Sequence, residues 1–141
     1  NEIVSQNGLA IGIDINDAVD KKWIPVWSRT KIIFGDSSKA ETVEKLKELL
    51  NGNNIDFLYI DGLHNETGVN RDYNLYFPLV RKGGIIGFHD AGEPSKKYHN
   101  VPEAVNTWNR GGDPAVKKLF ESINLEKEVL QYDQGTGVVY V

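Results

Sequence analysis

Four short apolar runs, each ending abruptly in polar residues, constrain this chain more than any other feature. They are Leu9–Ile15 (LAIGIDI), Thr30–Phe34 (TKIIF), Ile55–Ile60 (IDFLYI) and Ile85–Phe88 (IIGF). Runs this brief and this apolar suit strands buried on two faces, as parallel strands are. The segments between them have a different rhythm. Ser38–Leu50 places Val43, Leu46, Leu49 and Leu50 at helical spacing and is closed by Gly52-Asn53-Asn54. Gly68–Val80 sets Val69, Tyr73, Tyr76 and Val80 on one helical face, with Pro78 near its end, and Lys82-Gly83-Gly84 reads as the turn into the fourth run. Asn16–Arg29 is a polar crossover containing Trp23, Pro25 and Trp27. Strands alternating with helices at this spacing predict an α/β fold with a parallel sheet and right-handed crossovers.

Further along, Val101–Trp108 and Pro114–Ile123 read as helices. Leu125–Gln131 and Thr136–Val141 read as a closing antiparallel pair around Asp133-Gln134-Gly135. At the other end, Asn1–Gly8 reads as the end of a helix closed by Asn7-Gly8. With no initiator methionine, the chain is expected to be trimmed or only part of a longer one. No repeat, low-complexity stretch or linker interrupts it, so residues 1–141 are expected to be one domain or part of one. A length of 141 residues with 40% hydrophobic content is enough for a single core.

Composition removes several classes of function. Sixteen basic residues stand against 20 acidic ones, a net charge of −4, with no run of Lys and Arg to track phosphates, so nucleic acid is not an expected partner. There is no Cys, which excludes a disulfide and a thiolate nucleophile and leaves only oxygen and imidazole to hold a metal. No apolar stretch approaches the ~18 residues of a membrane span, and Asn1–Gly8 lacks the charged-then-apolar pattern of a signal peptide. A cytoplasmic protein without a membrane partner is the expectation.

In parallel sheets the ligand crevice lies beyond the carboxyl ends of the strands, so the polar residues just after the apolar runs are the candidates for chemistry. Four such ends carry Asp14, then Gly35-Asp36-Ser37-Ser38, then Asp61-Gly62-Leu63-His64, then His89-Asp90. Asp14 offers two acceptor oxygens matched to the vicinal hydroxyls of a ribose, or closes an Asx turn. Asp36, Ser37 and Ser38 could bond an adenine edge, and Ser-Ser before Lys-Ala-Glu-Thr also resembles a helix N-cap. Asp61, His89 and Asp90 lie at the ends of neighbouring strands and could hold one cation. Carboxylates favour Mg²⁺, while an imidazole in the set shifts preference towards Mn²⁺, Fe²⁺ or Zn²⁺. His64, three residues past Asp61, could take a proton from a hydroxyl or join the metal.

The run DFLYIDGLHNETGVNRDYNLYFPLVRKGGIIGFHD, Asp56–Asp90, resembles the class I S-adenosylmethionine-dependent methyltransferases grouped as family 24, relatives of cephalosporin-hydroxylase-like and macrocin-type sugar O-methyltransferases. Weaker similarity extends from GIDIND through GDSS to the terminal TGVVYV, so it covers about Leu9–Val141. The resemblance implies a Rossmann-like sheet, mostly parallel with a C-terminal antiparallel strand, in the order 3-2-1-4-5-7-6. The first strand and its glycine loop are not recognisable in this chain, so strand pairing is expected to be interrupted where that strand belongs.

The same resemblance implies Asp14 on the ribose and Asp36-Ser37 on the adenine of S-adenosylmethionine. It also implies a divalent ion, Mg²⁺ in the relatives, on Asp61 and the pair 28 and 29 positions later, His89 and Asp90. Relatives carry an acidic residue where His89 stands. His64 and Asp61 form the expected catalytic pair, with Asp61 also beside the cofactor. The implied activity is methyl transfer to a hydroxyl of a small molecule, such as a sugar, by a chain that could form homo-oligomers. Two other functions compete: a non-catalytic binding domain of the same fold, and a nicotinamide-dependent oxidoreductase, whose fold also reads ribose with an Asp.

Overall fold

The computed structural model describes residues 8–16, 29–92, 113–130 and 135–141. The chain forms two compact units, Asn1–Asn53 and Asn54–Val141. The expected helices at Asn1–Gly8 and Val101–Trp108, and most of the Asn16–Arg29 crossover, lie outside the described residues.

In the first unit, β1 (Ala10–Asp14) and β2 (Thr30–Phe34) pair in parallel, Ala10 opposite Thr30 and Asp14 opposite Phe34. Helix α1 (Ala40–Leu50) follows and buries Val43 and Leu46 of the expected stripe together with Thr42, while Leu49 is exposed and Leu50 half-buried. Its start differs from expectation. Asp36 Oδ1 takes both the Ser38 amide (2.9 Å) and the Ser38 hydroxyl (2.7 Å), so Ser38 is held in a turn and Lys39 becomes the N-cap without a side-chain bond. The helix ends at Asn51, in the left-handed conformation with φ 48°, whose N–H returns to the carbonyls of Lys47 and Glu48.

The second unit holds β3 (Ile55–Ile60), α2 (Glu66–Tyr76), β4 (Val80–Phe88), α3 (Pro114–Ser122), β5 (Lys127–Leu130) and β6 (Thr136–Tyr140). A 3-10 turn at Phe77–Leu79, carrying Pro78, joins α2 to β4. The sheet order is β3-β4-β6-β5, with β3 and β4 parallel and β6 antiparallel to both its neighbours. Among the described residues no ladder joins this sheet to β1-β2. The fold is thus Rossmann-like α/β, mostly parallel with a C-terminal antiparallel strand.

One expected turn is not a turn. Strand β4 begins at Val80, opposite Ile55, and Ile85 is opposite Phe57, so Lys82-Gly83-Gly84 is a bulge within the strand. Its backbone is satisfied by the chain's last residue: Gly83 N–H donates to Val141 O (2.7 Å) and Val141 N–H to Gly84 O (3.0 Å).

The core of this unit joins Ile60, Ile86, Phe88 and Val139 of the sheet to Val69 of α2 and to Val116, Leu119 and Phe120 of α3. Burying such side chains contributes roughly 1.5–3 kcal/mol each. Phe88, fully buried, packs edge-on against Phe120 with ring centroids 6.0 Å apart. Lys127 Nζ donates to the carbonyls of Phe120, Glu121 and Ile123 at 3.0, 2.7 and 2.6 Å, closing the C-terminus of α3. Among the described residues, no helix is long and apolar enough to cross a membrane.

Candidate functional site

Each apolar strand hands the chain to polar residues at its carboxyl end, and the two units treat them differently. In the first unit Asp14 is the last residue of β1. Its carbonyl accepts the Gly35 N–H (2.8 Å), tying the two strand ends together, and its Oδ1 accepts the Asn16 N–H (2.8 Å) in an Asx turn. Asp36 is likewise turned onto Ser38. Behind this loop Gly35 lies close against α1, where a Cβ on Gly35 would come 2.8 Å from Thr42 Oγ1. That hydroxyl is buried and has no hydrogen-bond partner.

In the second unit Ile60 and Phe88 are register partners, and the His89 N–H donates to Ile60 O (3.0 Å). Asp61 and His89 therefore leave the sheet side by side. The Asp61–Asn65 loop then folds back onto α2, where Asn65 caps the helix by accepting the Gly68 N–H (2.8 Å). This places His64 between two carboxylates. Its Nε2 is 3.2 Å from Asp61 Oδ1 and its Nδ1 is 3.1 Å from Asp90 Oδ2. His89 Nδ1 lies 3.2 Å from Asp61 Oδ1 and 3.0 Å from Asp90 Oδ1, yet it is buried and neither approach has hydrogen-bond geometry.

Asp61, His64, His89 and Asp90 thus form a ring of two carboxylates and two imidazoles. The donor atoms of Asp61, His64 and His89 lie within 4.8 Å of one another, as one ion would need, so the geometry draws His64 into the group. Asp90 stands behind both imidazoles, its backbone left-handed with φ 60°. Burial pushes its carboxyl above the ordinary value of 3.8; His89 and then His64 pull against that, and Asp61 adds to it.

The ring is not self-sufficient. A neutral imidazole carries one N–H, so His64 cannot satisfy both carboxylates unless it is protonated. His89 Nδ1 is a buried polar atom with no aligned partner. Positive charge in the centre relieves both conditions, and one carboxylate with two imidazoles is a donor set that fits a divalent cation.

The chain matches a family described as "Methyltransferase domain" over residues 3–91. An uncharacterized protein, R132, of Acanthamoeba polyphaga mimivirus is 37% identical over 94 residues, which cover 62% of this chain and 37% of that protein. An O-methyltransferase family protein from Burkholderia thailandensis superposes with a TM-score of 0.62 at 13% identity, covering 94% of this chain and 43% of its own. The MycE methyltransferase of the mycinamycin biosynthetic pathway, in complex with Mg, SAH and mycinamycin VI, gives 0.58 at 19% identity and the same 94%, over 36% of its chain. The chain therefore spans less than half the length of each of these three.

Proposed function

The chain belongs to the methyltransferase-domain family, and on that premise we propose that it transfers a methyl group from S-adenosylmethionine to a hydroxyl of a small molecule, such as a sugar, with the help of a divalent ion. The observation that carries this reading is the ring of Asp61, His64, His89 and Asp90 at adjacent strand ends. Support comes also from the MycE structure, which holds Mg, SAH and a small-molecule compound together. In this reading residues 1–141 are parts of one methyltransferase domain, since the family match crosses from the first unit into the second.

Asp14 takes the ribose hydroxyls, and Asp36 with Ser37 and Ser38 takes the adenine edge. Asp61 and His89 would hold the ion, with Asp90 as third ligand or as the group that orients both imidazoles, and with His64, whose donor atom lies within 4.8 Å of theirs, as a further ligand or as the base. When bound, S-adenosylmethionine supplies a methyl group on a positively charged sulfur, and the ion supplies Lewis acidity that favours the ionised hydroxyl. As the base, His64 would carry its own proton on Nδ1 beside Asp90 and present Nε2 to the hydroxyl once Asp61, 3.2 Å from Nε2, is engaged by the ion. Transfer would exchange the S–CH₃ bond for an O–CH₃ bond and leave S-adenosylhomocysteine, with His64 keeping the hydroxyl proton. Holding nucleophile and methyl in line is the larger part of the catalysis.

The experiment is methyl transfer by the full-length protein before and after chelation, with Mg²⁺ or Mn²⁺ added back, beside Asp61→Ala and His64→Ala. Loss on chelation and recovery with metal is the expected result. Activity indifferent to the chelator and to Asp61→Ala, yet abolished in His64→Ala, replaces the metal with plain general-base catalysis.

A further inference from the structure

The second unit contains a buried carboxylate that the chemistry above does not use. Asp72 lies in the middle of α2 and is only 6% exposed. It shares the buried face of the helix with Val69 and Tyr76, three residues before it and four after. A carboxylate in that stripe costs free energy unless something engages it, and Asp72 is engaged. Its carboxylate reaches up to the loop that carries the ring. A Cβ on Gly62 would stand 2.6 Å from Asp72 Oδ2, a distance no real Cβ adopts. The same loop presses Leu63 onto the first turn of α2, where a Cβ on Gly68 would come 2.6 Å from Leu63 O.

Gly62 separates Asp61 from Leu63 and His64, so whatever fixes Gly62 fixes the Asp61 carboxylate and the His64 imidazole. We infer that Asp72 is a positioning residue for Asp61 and His64, and that Gly62 lacks a side chain because the Asp72 carboxylate occupies the space one would need. The inference rests on the reading of Asp61 and His64 as working residues, but its geometric content does not.

Two readouts separate those parts. The first is the side-chain ¹⁵N–¹H spectrum of the His64 and His89 rings at one fixed pH, in wild type, Asp72→Ala, Asp72→Asn, Gly62→Ala and the double variant Gly62→Ala/Asp72→Ala. The second is Mn²⁺ affinity by electron paramagnetic resonance in the same proteins. In Asp72→Ala the His64 ring signals shift or double, and Mn²⁺ affinity falls by about tenfold or more, the size of effect expected of groups that orient ligands. Asp72→Asn, of the same shape, keeps the fold and restores part of both. In Gly62→Ala the loop is displaced by the clash, and removing the Asp72 carboxylate in the double variant recovers part of the wild-type His64 signal.

A plain helix-stabilising role gives the opposite pattern: lower thermal stability, unmoved ring signals, and Gly62 and Asp72 effects that simply add. That pattern overturns the inference. If Asp72→Ala does not fold, Asp72→Asn and Gly62→Ala decide alone, and His64 signals that superimpose on wild type in both defeat it. Wild type that does not bind Mn²⁺ defeats the metal reading instead, while the ring spectra still judge Asp72.

Discussion

The loop after β2 and the loop after β3 share a plan and differ in what they leave available. In both, an apolar parallel strand stops, a glycine lies within two residues of its end, and the next helix presses a polar side chain against that glycine: Thr42 on Gly35, Asp72 on Gly62. In the first loop the acidic residue turns inward, with Asp36 holding Ser38. In the second, Asp61 faces two imidazoles, one of which, His64, stands between two carboxylates that its single neutral N–H cannot serve. The first arrangement shapes a backbone; the second concentrates charge. A strand-end aspartate is therefore not one kind of residue, and what the following turn does with its oxygens decides which kind it is.

The sharpest way to break that contrast is to remove the charged members of the second loop. Asp61→Ala is expected to cost Mn²⁺ affinity at least the roughly 10–100-fold that changes outside the ligand shell cost, and His64→Ala to slow methyl transfer by about 10²–10⁴-fold. Equal losses from Asp36→Ala, measured side by side, would erase the distinction between the loops. Next in size is the first unit. Asp14→Ala is expected to weaken S-adenosylhomocysteine binding by roughly 1.5–3 kcal/mol through lost charge-assisted hydrogen bonds, read by calorimetric titration. Unchanged affinity would leave Asp14 with its Asx turn alone.

Much of this was legible in the sequence. Apolar runs located all four strands, although the burial on two faces expected of them holds only for the end of β4, since Phe34 of β2 and Phe57 and Tyr59 of β3 are exposed; strand ends then located Asp14, Asp36, Asp61 and His89-Asp90. The bulge at Lys82-Gly83-Gly84 was not legible, since two glycines read as a turn until the pairing of Val80 with Ile55 shows the strand continuing. Nor was the start of α1, where Ser38 suits a cap but Asp36 takes its amide and hydroxyl first. Asp72 escaped notice for a different reason. A charged residue inside a helix suggests a solvated face, yet its place between Val69 and Tyr76 put it on the apolar stripe, a conflict visible in the spacing alone.

Smaller effects sharpen the comparison further. Thr42 Oγ1 is buried without a partner, so Thr42→Val, of nearly the same shape, is expected to stabilise the fold by about 1 kcal/mol in thermal or urea unfolding. A loss of stability would mean that the hydroxyl serves the first loop as Asp72 serves the second. The smallest effect is one of slope. Burial raises the Asp90 carboxyl in the fold above its unfolded value, so its contribution favours the native state at low pH and is lost as pH rises through the raised value. In chelated protein, Asp90→Asn should therefore gain thermal stability over wild type as pH increases from about 4 towards neutrality. A difference in melting temperature that stays flat across that range would contradict the raised value.

The left-handed backbone of Asp90 has a consequence for how such a domain can drift. Few residues tolerate that conformation, and the best suited are glycine and asparagine. Both are a single base away from either aspartate codon. The commonest tolerated substitutions at this position would therefore delete the charge and leave the loop standing. A descendant could lose its chemistry in one mutational step and pass it on inside an undamaged fold, so that a lineage of silent copies would be told from working ones by one letter rather than by shape.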